Sequence, residues 1–172
     1  MTTEAFAAWF KQLPGKLSLT QMVQWVSHQP DAFEQVVQYF VEKPSRRQKN
    51  AAWLYGYTAH LHPTIVQKHW PALCERVQQN QIDAATERNF FRALQWLELD
   101  EEQQGDAISM CFERLQNTAY SNASRVFALT ALVNLAQPYP ELKNEVRLCI
   151  EAELPYASKA FVSRANKLLK QL

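Results

Sequence analysis

At 172 residues, with 47% hydrophobic and 20% charged side chains, the chain carries enough apolar content to close one core, which excludes a disordered segment. Eighteen basic against seventeen acidic side chains leave a formal charge of +1, so no global field draws it to phosphate backbones or anionic membranes. The longest apolar stretches, such as 127–135, are broken by Thr130 and Asn134 and fall short of the roughly 20 residues that cross a bilayer.

The chain opens Met1-Thr2-Thr3-Glu4, acidic where a secretory leader is basic, and no apolar run with a cleavage site comes after it; a cytoplasmic protein is expected. A short helix fits 4–12, followed by helices over 19–29 and 31–43, where Phe33, Val36, Val37 and Phe40 recur at helical spacing. Further helices are predicted over 46–61 and over 64–79, where Val66, Trp70, Leu73 and Val77 carry the stripe and Pro71 predicts a kink or a late start. Phe90, Leu94 and Leu97 mark a helix over 85–98, and Ile108, Cys111, Phe112 and Leu115 another over 101–117. Helices over 122–136, 140–153 (Leu142, Val146, Cys149, Ile150) and 157–171 complete the chain, and nothing alternates like a strand. Seven of the eight prolines fall between these segments or, like Pro140, open one. Ser18 with Gln21, Asp31 with Glu34, Ser45 with Gln48 and Asp100 with Gln103 have the spacing of capping boxes.

A repeat organises these elements. Cys74, Cys111 and Cys149 lie 37 and 38 residues apart, each behind a large apolar residue, Leu73, Met110 or Leu148. A shift of 75 lays Ala51–Pro63 over Val126–Pro138 without a gap, Leu54 on Leu129 and Pro63 on Pro138. A period of this length holding two helices is that of HEAT and armadillo arrays, in which one pair cannot cover its own apolar faces and neighbours stack. The expected fold is all-α: a single domain over 1–172, a right-handed α-α superhelix of about four and a half HEAT/armadillo-like pairs. The pairs lie near 19–43, 46–79, 85–117 and 122–153, with a capping helix at 157–171. The cysteines then read as buried thiols of a reducing compartment.

The strings Ala51-Ala52-Trp53, Arg125-Val126-Phe127-Ala128, Pro140-Glu141-Leu142-Lys143 and Ser158-Lys159-Ala160-Phe161-Val162-Ser163-Arg164-Ala165 resemble a family of short bacterial HEAT-like helical-repeat proteins often labelled adenylosuccinate lyase. The resemblance covers 46–172. It implies the HEAT-like fold and brings no established catalytic residues. Lyases of the fumarase superfamily resemble one another in a longer chain and a Ser- and Gly-containing catalytic loop, whereas no glycine comes after Gly105 here.

No Gly-rich phosphate loop, HExxH, GxSxG or paired-carboxylate arrangement appears, so a non-catalytic protein without cofactor or metal is expected. His60, His62 and His69 flank the Pro63 turn, yet no acidic or thiol partner stands ready to complete a metal site. Trp53, Trp70 and Trp96 sit among apolar neighbours at helical spacing and are assigned to the core; Trp9 and Trp25 are contact candidates if exposed. Two basic groups stand out, Lys43, Arg46, Arg47 and Lys49 in one and Lys159, Arg164, Lys167 and Lys170 in the other. Arg88 and Arg125 are equivalent under the repeat and Lys159 holds a similar place, so with Arg46 and Arg47 they are the candidate binding residues, suited to acidic peptides or phosphates. A scaffold that docks another protein or peptide is the first expectation. Nucleic-acid binding is the second, since HEAT-like alkylpurine DNA glycosylases use a similar architecture; no membrane partner is expected.

Overall fold

The computed structural model of the chain describes residues 2–79 and 82–172, and every regular element among them is helical. They fall into two compact units, Met1–Glu98 and Leu99–Leu172. No helix among the described residues is long and apolar enough to cross a membrane.

The first unit holds α1 (Thr3–Trp9), α2 (Lys16–Ser27), α3 (Pro30–Val41), α4 (Arg46–Leu61), α5 (Pro63–Gln67), α6 (Trp70–Gln78) and α7 (Ala84–Leu94). Two of the predicted caps do not form. Gly15 caps α2, and the Ser18 hydroxyl accepts a hydrogen bond from Trp9 Nε1 at 2.8 Å. In α3, Pro30 takes the first position, where a missing N–H costs nothing, and Asp31 lies inside the first turn. Ser45 does cap α4, its Oγ accepting from Gln48 N at 3.1 Å. The Gln48 side chain, however, donates to the carbonyls of Phe40 and Glu42 and accepts from Thr86 Oγ1, tying α3, α4 and α7 together in the core. The helix predicted over 64–79 is two helices, because the ring of Pro71 collides with the carbonyl of residue 67 in a continuous one; α5 stops there and α6 restarts with Pro71 in its first turn.

α4 is the middle of this unit, packed on α3 by one side and on α7 by another. Phe33, Phe40, Leu54, Tyr55, Trp70, Leu73 and Phe90 form the interior, with Trp70 stacked on Phe90 at 4.9 Å between centroids. All of the apolar positions expected on α3, α5, α6 and α7 are buried. Gly56 lets α4 and α7 approach closely: a Cβ there would stand 3.0 Å from the backbone oxygen of Asn89. The pairs Gln48–Thr86, Tyr57–Arg92 and His60–Trp96 advance together, so α4 and α7 run parallel, as first helices of successive pairs do.

The second unit holds α8 (Glu101–Gln116), α9 (Asn122–Leu135), α10 (Pro140–Glu153) and α11 (Lys159–Leu168), with 3-10 turns at Leu154–Tyr156 and Leu169–Gln171. Asp100 and Gln103 complete a capping box at the start of α8. α9 packs on both α8 and α11, and α10 lies beside α8. Leu129, Leu132, Ile150, Phe161 and Leu168 fill the interior.

Cys74, Cys111 and Cys149 fall on α6, α8 and α10, the second helix of each predicted pair. Their burial is not uniform: Cys74 and Cys111 are buried, but Cys149 is half-buried and Leu148 before it is 66% exposed. α10 buries Val146 and Ile150, and a residue two positions from each points to the opposite side of the helix. The environment holds Cys111 and Cys149 as thiols, burial raising the pKa of each above the ordinary thiol value.

Candidate functional site

Most of the accessible residues of α4 share one side of the helix. Arg46, Lys49, Trp53, Tyr57 and His60 recur every three or four positions and form one stripe, while Ala51, Leu54, Tyr55 and Thr58 face the interior. Arg88 and Arg92 of α7 and Trp96 just beyond it run alongside. The Arg92 guanidinium lies 3.8 Å from the centre of the Tyr57 ring, Trp53 meets Tyr57 edge-on at 6.0 Å, and the His60 and Trp96 rings are 4.3 Å apart. At 1.5 Å per helical residue the stripe from Arg46 to His60 is roughly 21 Å long.

At one end it opens into a cleft of about 210 Å³, in which Arg46, Lys49 and Arg88 surround Trp53 against a wall of Leu13 and Pro14. The buried side chain of Asn50 fixes that wall, its amide donating to the carbonyls of Phe10 at 3.0 Å and Gln12 at 2.9 Å. Lys49 is partly neutralised by Asp83 at 3.6 Å, the carboxylate that also caps α7. Neither Arg46 nor Arg88 has a carboxylate within 4.0 Å among the described residues. Two guanidiniums beside accessible rings can hold carboxylates bidentately while the rings cover an apolar side chain.

The five residues predicted as a binding set separate. Arg46 and Arg88 meet at the cleft, whereas Arg47 is occupied by Glu42 at 3.5 Å and by the Tyr39 ring at 5.0 Å. Lys159 begins α11 in the second unit and is exposed. Arg125 is no surface cation: it is 3% exposed, donates to the Leu115 carbonyl at 2.7 Å, pairs with Glu153 and lies over the Phe161 ring. Its place in the repeat matches that of Arg88, but its neighbours turn it inward.

The tryptophans also depart from expectation. Trp9 is buried and bonded to Ser18, so it offers no contact surface, and Trp70 alone of the three assigned to the core is fully enclosed. Trp53 is half-buried, and Trp96 is 44% exposed because α7 ends at Leu94 and helical spacing no longer governs the residues beyond it. Tyr57, Arg92 and Trp96 are members of the face that sequence reasoning passed over; the spacing of the polar and aromatic residues on 46–60 was the signal for it. His60, His62 and His69 do not gather: His60 lies on Trp96, His62 borders a separate hollow with Trp25 and His28, and His69 packs on Phe33. Among the described residues no group of three His, Cys, Asp or Glu is placed to hold a metal ion.

The helix pairing and the period agree with a comparison against known families, in which a model described as a HEAT repeat domain matches residues 9–172. The chain belongs to the HEAT-repeat family. No curated protein and no solved structure matches it. As a HEAT-repeat protein it is a helical scaffold, and the α4–α7 face is built on the first helices of two successive repeats.

Proposed function

We propose that residues 1–172 work as one HEAT-repeat domain, a non-catalytic interaction module in the cytoplasm whose α4–α7 face docks an acidic segment of another protein. One observation carries this reading: Arg46 and Arg88 stand without a carboxylate partner in a cleft that also presents Trp53. Unmet guanidiniums next to aromatic rings favour a carboxylate followed by apolar side chains. An extended peptide advances about 3.3 Å per residue, so about six residues cover the stripe, an acidic one at the cleft and an apolar one near Trp96.

The test is a fluorescence titration of the tryptophans with a short synthetic peptide of Glu and Phe, alongside a Lys and Phe counterpart. The acidic peptide is expected to bind, and the double change Arg46→Glu and Arg88→Glu should weaken it by about tenfold or more with little loss of stability. Equal binding of both peptides, or indifference to the double change, would refute the assignment.

The interleaving of cations and rings also suits single-stranded nucleic acid, which stacks bases on aromatics. Three of the cations crowd one end of the stripe, which fits a single anionic anchor better than a tracked phosphate backbone. A single-stranded oligonucleotide is therefore expected to leave the fluorescence unchanged at physiological salt, and tight binding there would move the function to that class.

A further inference from the structure

We infer that the second unit carries a separate docking groove between α8 and α10 for a basic, apolar-centred segment of a partner protein. The apolar stripes of these two helices are only half used by the fold. Cys111, Leu115, Val146 and Ile150 are buried, whereas Ile108, Phe112, Leu142 and Cys149 stay half-exposed, and the stripes expected on α3, α5, α6 and α7 show no such residue. Ile108 and Leu142 line a groove of about 440 Å³ together with the exposed Tyr139, whose hydroxyl donates to Gln104 Oε1 at 3.0 Å.

The rim fixes the sign of the occupant. Glu101, Glu141 and Glu145 border the groove, and none of them has a cationic side chain within 4.0 Å among the described residues. Lys143 and Arg147 share α10 but do not line it. A segment with lysines or arginines on either side of an apolar anchor meets both the carboxylates and the half-covered floor.

Gly105 lies on that floor, near the start of the 16-residue helix α8, where glycine is a poor helix former. Unlike Gly56, it has no neighbour within the chain that requires it, since a Cβ added there would find nothing within 4 Å. The missing side chain leaves room against the helix backbone for something outside the chain.

Glycine thus gives the experiment two readouts of opposite direction. Gly105→Ala is expected to raise Tm by about 2–4 °C through better helix propensity. The same change should weaken, by about fivefold or more, the binding of a short synthetic peptide with a central Leu-Phe pair flanked by lysines. In an NMR titration that peptide should shift the amides around Gly105, Ile108 and Leu142, and Glu141→Lys with Glu145→Lys should reduce its affinity by about tenfold. A Glu-flanked version should leave those amides in place. A fall in Tm for Gly105→Ala would show that the fold itself needs the glycine and would overturn the inference. So would peptide affinity that ignores the substitution, or shifts located away from the groove.

Discussion

Arg88 and Arg125 hold equivalent positions in the repeat and have opposite fates. In the first unit Arg88 looks onto a cleft with no carboxylate partner; in the second, Arg125 is enclosed, held by Glu153, the Leu115 carbonyl and the Phe161 ring. The same contrast runs through the apolar stripes, fully covered on α3, α5, α6 and α7 and half-covered on α8 and α10. Repeat register assigns a residue its place on a helix, but the side chains contributed by the next helix decide whether it serves the fold or the surface. In this chain a cation holds the structure together in one copy and stays without a carboxylate in another.

The largest loss of stability is expected for Arg125→Ala. It leaves the Glu153 carboxylate and a buried carbonyl without their donor, a loss of about 3 kcal/mol or more, discounted somewhat because Glu153 is not fully enclosed. Arg88→Ala, at the matching position, should stay within about 0.5 kcal/mol of the parent. Urea denaturation followed by circular dichroism measures both, and similar costs would erase the distinction drawn between the two arginines. Because all five tryptophans precede Leu99, their fluorescence reports the first unit alone. If residues 1–172 form one cooperative domain, Arg125→Ala shifts the fluorescence midpoint together with the dichroism; a fluorescence curve that does not move would show the units unfolding separately.

Gly56→Ala puts a Cβ 3.0 Å from the backbone oxygen of Asn89, and backbone has no rotamer with which to give way. The parallel α4–α7 contact must open slightly, at a cost of about 1–3 kcal/mol against the gain in Tm expected for Gly105→Ala. Guanidinium chloride midpoints for the two variants, moving in opposite directions, check that one glycine serves the interior and the other does not.

Most of the fold was legible in the sequence because it rests on periodicity. Phe33, Val36, Val37 and Phe40 are all buried as their spacing predicts, and the interval between Cys74, Cys111 and Cys149 placed them on corresponding helices. Prolines and caps located the corners, except where a neighbour captured the capping group, as Trp9 does with Ser18. The face was harder to read. Trp53 has apolar neighbours at helical spacing and looks like core, yet it stays half-buried in the cleft that Arg88 also lines. Arg125 looked like a surface cation because Glu153, 28 residues away, is brought to it by the return of α10. Periodicity identifies which side of a helix is apolar; it does not say which residues of the next helix will cover it or pair with it.

A mild pH dependence is expected in the first unit, which holds all four histidines. His69 packs on Phe33 at 5.5 Å, and burial lowers its pKa below the ordinary 6.5, although Glu34, 3.6 Å from Nε2, works in the other direction; Lys68, bound to that same carboxylate at 3.0 Å, adds to the lowering. Between the folded value and 6.5 the unfolded chain therefore binds more protons, so the stability attributable to His69 is complete above about pH 6.5 and is lost as pH falls through the folded value. Glu34 itself has a lowered pKa, chiefly from its hydrogen bond with Lys68, and its contribution fades only below its ordinary 4.5. Tryptophan-detected urea midpoints should decline between pH 7 and 5 by less than either substitution above, and His69→Asn should flatten that slope. A slope unchanged by the substitution would place the titrating group elsewhere. A rise toward acid would mean that Glu34, rather than the apolar wall of Phe33, governs the imidazole.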